Sequence, residues 1–473
     1  MAAACSAWLQ LVRTKHHEIN PAMNSIPTIL IAALTLSAGI FAGLARAAAD
    51  QWPQFLGPHA RAIGTNANLP DQWSATKNVA WKAAIPGRGW SSPIAWGNRV
   101  FLTTVVVAGN SKLPKKGLYL GGERRQPPPA EHQWKVLCLD LASGKVLWER
   151  LVHHGAPPEP RHLKNSYASE TPVTDGQRLY AYFGNVGVFC FDFEGRPVWS
   201  KTIPPHKMRS NWGTASSPVL FGDRLYLVDD NDQDSYLLAL DKRTGAQVWR
   251  VHRDEKSNWS TPYIWENGRQ TEIITPGTGK TRGYDPSGKL LWWFKGMSSI
   301  TIATPYSDHG LLYVSSGFVM NRRRPLYAIR PTAAGDISLH GQETSNAAIA
   351  WCQPRGAPYN PTTLVYDGRL YALYDTGRLS VFDPQTGKII YERKVLPRGL
   401  RFTASPWAYQ HKVFCMNEDG LTFVVAAGDK FEVLRTNPLP ADDMYLATPA
   451  MVGDRLLIRS ASRLYCIRGP SSR

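Results

Sequence analysis

Glu170 is the residue of this sequence that is best placed for acid–base or metal chemistry. A Ser-Pro or Thr-Pro step recurs along the chain, and Glu170 is the ionisable carboxylate found two residues before the proline. A carboxylate there could bind a divalent cation or accept a proton from an alcohol. Because the step is expected to begin the innermost strand of each repeat, the sequence predicts that Glu170 faces a central channel. It is the candidate catalytic residue.

Amide, basic and aromatic residues near the steps could contact a ligand. Tryptophan rings could stack on a flat ligand, although packing over the core is the alternative. Arg88, Arg355 and Arg401 precede innermost strands and could make a basic mouth for an anion; a solvated rim is the alternative. Glu170 and Asn360 belong to opposite sides of an eight-fold ring, so they are not expected to share one ion. The candidate cofactor-binding residues are Trp90, Lys164, Asn165, Glu170, Trp212, Trp259, Asn360 and Arg401.

Neither the histidines nor the cysteines predict a metal or haem site. His153, His154 and His162 match no standard ligand spacing, and prolines intervene. The cysteines beyond the N-terminal region form no C-x-x-C pair, no vicinal pair and no haem-attachment motif. Three of them lie in apolar strand patterns (LCLD, FCFD, YCIR), so we expect them to be small core residues.

An internal repeat positions the candidate residues. The steps are Ser92-Pro93, Thr171-Pro172, Ser217-Pro218, Thr261-Pro262, Thr304-Pro305, Ser405-Pro406 and Thr448-Pro449, with Asn360-Pro361 as a variant copy. Most steps are about 45 residues apart, and each copy contains four short alternating strands separated by glycine turns. Four antiparallel strands per repeat of this length are typical of a propeller blade. The predicted fold class is all-β, an eight-bladed β-propeller with four-stranded blades; seven blades is the alternative.

The two ends of the repeat region predict how the ring closes. The last copy stops at Arg468-Gly469 after its third strand, and residues 78–82 read as a fourth strand without the other three. We therefore expect the N-terminal strand to complete the last blade, which would hide an otherwise exposed sheet edge.

A large aromatic ring lies four residues after the glycine of most last turns. These rings are Trp148, Trp199, Trp249, Trp292 and Tyr391. With the preceding Asp and Gly, as in LDLASGKVLW at 139–148, they resemble the tryptophan-docking motif of the PQQ-type (pyrroloquinoline quinone) eight-bladed propellers. The resemblance covers residues 78–468 and extends to WPQFLGP at 52–58, which is similar to a segment of exported bacterial PQQ-like repeat proteins. It implies that Asp, Gly and the terminal Trp interlock adjacent blades.

The family that this sequence resembles is divided in function. It includes quinone-dependent alcohol and sugar dehydrogenases, and also non-catalytic members such as the outer-membrane assembly lipoprotein BamB. The alcohol dehydrogenases place a vicinal disulfide against the quinone, and this chain has no Cys-Cys pair. We therefore expect a binding or assembly scaffold of the cell envelope without an evident catalytic constellation. The alternative is a PQQ-dependent oxidoreductase with a divalent cation such as Ca²⁺ at the propeller mouth and Glu170 as ligand or base.

The N-terminal residues are typical of a secretory signal. Residues 29–44 are apolar and uncharged, which is short for a spanning helix, and Ala45-Arg46-Ala47 resembles a cleavage site. We predict a signal peptide at 1–47 (with Met23 as an alternative start), an N-terminal extension at 48–77 and the propeller at 78–473. The protein is then extracytoplasmic, periplasmic or secreted, and not membrane-spanning after the signal is removed; an uncleaved anchor is the alternative.

Composition and charge limit the partners. With 54 Lys+Arg against 37 Asp+Glu the formal net charge is +17, and 43% hydrophobic residues are enough for a packed core rather than disorder. Nucleic acid is not expected, because export removes that target and the charge is spread along the chain. A basic, proline-containing loop is predicted at 109–133, between the second and third strands of the first blade. An envelope protein or an anionic polymer is the expected partner of a monomeric ring.

Overall fold

Alternating apolar residues place one short strand after another in antiparallel sheets around a common axis. The structure is a computed structural model that describes residues 51–109, 113–119, 126–397 and 400–469. In these residues there are eight sheets, each containing a set of four antiparallel strands, here lettered A to D from the centre of the ring outwards; two of the sheets have a short fifth strand. This confirms the all-β class and the eight-bladed propeller. The signal peptide predicted at 1–47 lies outside the described residues.

Each of blades 1 to 7 takes its four strands from one copy of the repeat. In blade 1, strands A to D are Ile94–Trp96, Arg99–Val107, His132–Asp140 and Val146–Gly155, and in blade 2 they are Val173–Thr174, Arg178–Phe183, Gly187–Asp192 and Pro197–Thr202. In blade 3 they are Val219–Phe221, Arg224–Asp229, Tyr236–Asp241 and Gln247–His252. In blade 4 they are Tyr263–Glu266, Thr271–Thr275, Thr281–Tyr284 and Leu290–Phe294. In blade 5, strands A to D are Tyr306–Asp308, Leu311–Ser315, Leu326–Ile329 and Ile349–Gln353. In blade 6 they are Leu364–Tyr366, Arg369–Tyr374, Arg378–Phe382 and Ile389–Val395. In blade 7 they are Trp407–Tyr409, Lys412–Met416, Leu421–Ala426 and Val433–Pro438. The predicted basic loop does connect strands B and C of blade 1.

Four further short elements of the described residues lie outside this pattern. Gln51–Trp52 pairs with strand A of blade 1, and Gly335–Asp336 pairs in parallel with strand D of blade 4. Pro58–Ala60 and Arg209–Asn211 form short 3₁₀ turns. None of the helical segments in the described parts of the chain is long and apolar enough to cross a membrane.

Blade 8 joins the two ends of the chain. Its strands A to C are Ala450–Val452, Arg455–Arg459 and Arg463–Arg468, and its strand D is Val79–Ala84. Strand D pairs antiparallel with strand C, with Trp81 opposite Cys466. The predicted closure by the N-terminal strand is confirmed, and it covers the edge that strand C would otherwise expose.

Tryptophans of the outer strands interlock neighbouring blades. The indole N–H of Trp148, for example, donates to the carbonyl of Phe193 in the next blade at 2.9 Å, and its ring packs against Gly195. The same arrangement joins Trp81 to Leu141, Trp199 to Lys242, Trp249 to Pro286 and Trp351 to Pro384. Trp292 lies in strand D as predicted, but its indole N–H donates to Glu272 of its own blade at 2.6 Å. Trp351, which the turn spacing did not single out, acts instead for blade 5.

Aspartates at the ends of strand C hold the C–D turns. Asp241 accepts hydrogen bonds from the backbone N–H groups of Arg243 and Thr244 at 2.8 and 3.1 Å and from the Arg243 side chain at 3.1 Å. These bonds, with that of the guanidinium first, lower the pKa of Asp241 to about 2. Other turn aspartates also have lowered pKa values; these are Asp140, Asp192, Asp285 and Asp383.

Acid should therefore destabilise the ring through these turns. A carboxyl group whose pKa is lower in the folded protein than in the unfolded chain stabilises the fold above the unfolded pKa, and this stabilisation is lost as pH falls towards the folded pKa. We expect the melting temperature to fall between pH about 4 and about 2. Thermal melts across this range should show a shallower fall for Asp241→Asn, and an unchanged slope would contradict the prediction.

The cysteines of the described residues lie in the sheets. Cys138, Cys190, Cys352, Cys415 and Cys466 are buried and unpaired, as expected for small core residues. Burial raises the pKa of the Cys190 thiol to about 12. Thiols of this kind remain protonated and are poor nucleophiles.

The segment before strand Val79–Ala84 crosses the face of the ring that carries the A–B turns; residues 51–77 are here called the N-terminal strap. Its first two residues pair with blade 1, and Arg61 forms an ion pair with Asp308 of blade 5. Gly64 N donates to Ala408 O of blade 7 at 2.9 Å. The strap thus joins distant blades and places Phe55 near the axis. The opposite face, called the mouth, carries the D–A connections and the B–C turns.

Candidate functional site

Hydroxyl groups from the beginnings of the A strands form a ring of hydrogen bonds around the axis. In each link a backbone N–H of one blade donates to the hydroxyl oxygen of the next blade. The links are Ser92 to Thr171 (2.9 Å), Thr171 to Ser217 (2.9 Å), Ser217 to Thr261 (3.0 Å), Thr304 to Thr362 (3.1 Å), Thr362 to Ser405 (2.9 Å) and Ser405 to Thr448 (3.0 Å). The recurring Ser/Thr-Pro step therefore joins the blades at the centre, as the tryptophans do at the periphery.

The ring corrects the sequence register of blade 6. Asn360-Pro361 was expected to be the variant copy of the step, but Thr362 occupies the hydroxyl position and strand A begins at Leu364. Thr363 therefore stands where the other blades have proline. The distance along the chain from Thr362 to Ser405 is 43 residues, the same as from Ser405 to Thr448. Pro361 lies two positions before the site that proline takes in the other blades.

A cavity of about 260 Å³ lies on the axis above this ring. The hydroxyl ring and Phe55 of the strap line it at one end, and Gly117–Tyr119 of the basic loop line it at the mouth end. Aromatic side chains form much of the wall; they are Trp90, Trp212, Trp259 and Tyr359, with Tyr119 and His162. The cavity wall also includes Lys164, Asn165 and Asn360. The structure thus brings six of the predicted cofactor-binding residues to one cavity.

Glu170 does not belong to this wall. Its neighbours Ser169 and Thr171 line the cavity, whereas the Glu170 carboxylate is buried and points to the next blade. The Thr214 hydroxyl donates to Glu170 Oε1 at 2.6 Å, and Gly184 N donates to the same oxygen at 3.3 Å. Burial raises the pKa of this carboxyl group. In this position Glu170 links blades 2 and 3.

Lys164 is held by an ion pair that connects blade 2 to blade 7. Its ammonium group contacts Oε1 of Glu418, which also accepts from the Thr403 hydroxyl at 2.8 Å. Oε2 of Glu418 accepts from Gly117 N at 2.7 Å, and Lys164 Nζ donates to Gly117 O at 3.0 Å. Only 1% of the Glu418 side chain and 14% of the Lys164 side chain are exposed. The pair therefore anchors the basic loop across the mouth.

The amide candidates are engaged in local structure. Asn165 donates to the carbonyls of Trp212 and Thr214 at 2.8 and 3.1 Å. The side-chain amide of Asn360 and its backbone N–H donate to Asp375, which is buried and whose pKa is raised by burial. Both residues shape the wall of the cavity.

The remaining candidates differ in position. The indole N–H of Trp90 donates to Lys164 O at 2.8 Å, and that of Trp259 donates to a backbone carbonyl at 2.6 Å. The Trp212 and Trp259 rings are in contact, with centroids 5.8 Å apart. Arg401 is exposed and does not line the cavity, although its carbonyl accepts from Glu418 N at 2.9 Å.

Sequence reasoning missed Glu418, Thr403 and the Gly117–Tyr119 stretch. Glu418 lies in the B–C turn of blade 7, within the polar run MNEDG, which reads as an ordinary surface turn. Its burial depends on the basic loop of blade 1, which is far away in sequence. A signal that could have found it is the loop length, since a long insertion near the axis must rest on another blade.

The donors in the cavity wall do not fit Ca²⁺ and PQQ. Among the described residues that line the cavity none is Asp or Glu, whereas Ca²⁺ takes about 6–8 oxygen ligands and usually includes carboxylates. Lys164 is the only Lys or Arg among them, and Glu418 neutralises its charge. The described part of the wall therefore offers no unpaired Lys or Arg to the carboxylates of the quinone.

Eight four-stranded blades, tryptophan interlocks and closure by the N-terminal strand define a propeller of the PQQ-like repeat class. A family model described as "Outer membrane protein assembly factor BamB" matches residues 133–292 and 234–469. The chain belongs to this family.

Two curated relatives carry the same description. BamB of Alkalilimnicola ehrlichii is 29% identical over 181 residues, 37% of this chain and 36% of the relative. BamB of Nitrosomonas eutropha is 24% identical over 208 residues, 42% of each protein. The chain therefore matches only about two fifths of the length of these relatives.

Solved structures of both functional branches have the same fold. BamB from Moraxella catarrhalis superposes with a TM-score of 0.51 at 11% identity, over 78% of this chain and 99% of that one. Quinohemoprotein alcohol dehydrogenase from Comamonas testosteroni gives 0.56 at 13%, over 92% and 83%. A europium-containing methanol dehydrogenase gives 0.57 at 10%, over 89% and 98%. At these identities the likeness shows the fold alone.

Proposed function

We propose that this protein is a non-catalytic, extracytoplasmic scaffold that binds an envelope protein during outer-membrane protein assembly. Membership of the BamB-type family supports this assignment, as does the poor fit of the cavity wall to a quinone and its cation. The observation that carries the proposal is a basic surface on the mouth face of blades 5 and 6.

This arginine surface combines a B–C turn with a neighbouring D–A connection and strand. Its members are Arg322, Arg323, Arg324, Arg355 and Arg393. Arg324 N donates to Pro354 O at 2.8 Å, and the Arg393 guanidinium donates to Arg355 O at 3.3 Å, so the two blades hold the arginines together. In the described residues, the ion pair found within this surface is Arg393–Glu392, at 3.4 Å. Most of the positive charge is therefore left for a partner.

An acidic segment of an envelope protein fits this surface best. Guanidinium groups bind carboxylates in a bidentate manner and lose less hydration than ammonium groups do. Such charge complementarity accelerates association and selects partners more than it increases affinity. Mainly electrostatic docking of this kind weakens as salt rises.

A complementation experiment tests the scaffold function. In the native host, deletion of the gene should lower the amounts of outer-membrane β-barrel proteins, and the wild-type gene should restore them. A variant with Arg322, Arg323, Arg355 and Arg393 replaced by glutamine should fail to restore them although it folds. The matched control replaces four exposed basic residues of the opposite face, Lys145, Arg269, Lys289 and Lys388, and should restore them fully. Unchanged protein amounts after deletion would refute the assembly role, and equal complementation by both variants would refute the arginine surface.

Reconstitution separates this function from the oxidoreductase alternative. Purified protein is incubated with PQQ and Ca²⁺, and binding and dye reduction with an alcohol are measured. We expect neither stoichiometric binding nor reduction, because the described wall offers no carboxylate and no unpaired Lys or Arg. Tight binding with turnover would overturn the scaffold assignment, and its loss in Glu170→Gln would identify Glu170 as the functional carboxylate.

A further inference from the structure

The N-terminal strap forms backbone hydrogen bonds with the inner edges of three blades. In each of them the bonded residue of strand A lies two positions after the proline of the Ser/Thr-Pro step. The bonds are Ala408 N to Ala62 O (3.0 Å), Gly64 N to Ala408 O (2.9 Å) and Thr174 N to Pro53 O (2.9 Å), and Ala95 pairs with Trp52. The edge of strand A that faces the axis therefore binds extended backbone in the protein itself.

The same edge is left open by the strap in blades 3 and 4. Leu220 and Ile264 are the equivalent residues there, because each also lies two positions after the proline of its step. Strand A is the edge of both sheets, whereas Gln51–Trp52 extends the sheet of blade 1. Among the described residues, the strap makes no backbone hydrogen bond to Leu220 or Ile264. A sheet edge of this kind presents N–H and C=O groups to a further strand.

A groove of about 420 Å³ lies along these two edges. Strand A of blade 3 and its turn line it with residues 218–222, and the neighbouring blades 2 and 4 line it with residues 173–175 and 261–264. Residues 53–55 and 58–60 of the strap line it as well. Because the lining includes A–B turns, the groove lies on the strap face of the ring. Its volume is within the range of about 300–1,000 Å³ that is usual for ligand sites.

Apolar side chains surround the edge of blade 3. Phe55 and Pro58 come from the strap, Phe221 from blade 3 and Tyr263 from blade 4. Successive side chains of an extended peptide alternate between two faces, so every second residue would meet this apolar lining. In strand addition the main-chain hydrogen bonds supply affinity and the side-chain contacts supply specificity. The groove therefore fits an extended segment whose alternate residues are apolar.

We propose that this groove binds an extended peptide segment of a partner protein, which adds a strand to the inner edge of blade 3. The strap pairs in this way with blades 1, 2 and 7, and because its residues are engaged there, the strap of the same chain does not supply the strand. The groove and the arginine surface lie on opposite faces of the ring. The inference therefore goes beyond the proposed function and does not rest on it.

Titration of the full chain with matched peptides tests the inference. The probe is the eight-residue peptide TVTFTVTK with fluorescein at its N-terminus, and fluorescence anisotropy reports binding. We expect a Kd below about 0.5 mM. The matched control has the same sequence with N-methyl groups on its four central residues, which removes N–H donors from both of its edges, and it should bind at least about tenfold more weakly. No binding of the probe, or equal binding of the two peptides, would overturn the inference.

A proline substitution locates the added strand. The N–H of Thr174 donates to the strap rather than to strand B, so the equivalent N–H of Leu220 faces the groove, and proline is tolerated where an edge N–H points outwards. Leu220→Pro should weaken binding of the probe about tenfold. The control is Val365→Pro, the same change at the equivalent position of blade 6, away from the groove, and it should leave affinity unchanged. Equal affinities of the two variants would refute the inference.

Folding and self-association are measured on the same proteins. Urea unfolding confirms that each variant is folded, and the N-methylated peptide tests the pairing on the wild-type protein even if Leu220→Pro does not fold. A second copy of the chain is the competing occupant, and sedimentation should show a monomer. A dimer that Leu220→Pro dissociates would show that the edge pairs with another copy, and would overturn the inference.

Discussion

Replacing Trp148 with alanine is expected to lower the free energy of unfolding by about 3–5 kcal/mol. The indole is 8% exposed and lies between strand D of blade 1 and the C–D turn of blade 2. Its N–H donates to Phe193 O at 2.9 Å, and an added Cβ on Gly195 would lie 2.6 Å from its ring. The substitution therefore leaves a cavity between blades and an unpaired carbonyl. Because this contact joins the sheets of adjacent blades, its loss weakens the interface between blades 1 and 2.

Urea unfolding followed by circular dichroism measures this effect, and Trp293→Ala is its matched control. Trp293 also lies in a strand D, but it is half-buried and stands beside the ammonium groups of Lys280 and Lys295 at 5.0 and 5.6 Å. Its replacement should cost about 1 kcal/mol. Similar losses for the two variants would show that Trp148 does not interlock the blades.

The second large effect is expected at the ion pair across the mouth. Lys164→Met should lower the free energy of unfolding by about 3–5 kcal/mol, because Glu418 would remain buried without its cation. The Thr403 hydroxyl and Gly117 N would still donate to the carboxylate, but they cannot neutralise it. Adding Glu418→Gln should recover part of the loss, since an amide needs no counterion. A double-mutant cycle in urea measures the coupling.

Lys116→Met is the control for this prediction. Lys116 lies in the basic loop, next to Gly117, and pairs with Asp419 at 2.9 Å, but 38% of the Asp419 side chain is exposed. A pair of this kind contributes about 0–1 kcal/mol. If Lys164→Met costs no more than Lys116→Met, or if the double variant is less stable than Lys164→Met alone, the buried pair does not anchor the mouth.

Local patterns were enough to predict the architecture because each blade is built from neighbours in the sequence. Alternating residues make the strands, glycine turns connect them, and Trp148 lies four residues after Gly144 as the docking motif requires. The closing strand was predictable because the last copy visibly lacks one. The register of blade 6 was not predictable in this way, because Asn360-Pro361 resembles the recurring step although Thr362 supplies the hydroxyl.

The candidate site was predicted in part. Residues before the A strands were expected at the mouth, and Trp90, Trp212 and Trp259 do line one cavity. The direction in which the Glu170 side chain points was not predicted correctly, because adjacent residues of an extended segment point to opposite sides. Ser169 and Thr171 face the cavity, so Glu170 turns into the blade interface and bonds to Thr214.

The sequence by itself determined the all-β class, the number of blades, the closure of the ring and the positions of the interlocking Trp148, Trp199 and Trp249, because all of these follow from repeated local spacing. It did not determine that Trp351 interlocks blade 5 or that Trp292 bonds within its own blade. Only the tertiary structure decided which groups carry charge at the axis. Lys164 and Glu418 are 254 residues apart, and Gly117 reaches them from a third blade. No local sequence pattern predicts these contacts, because they depend on how the ring brings distant connections to one face.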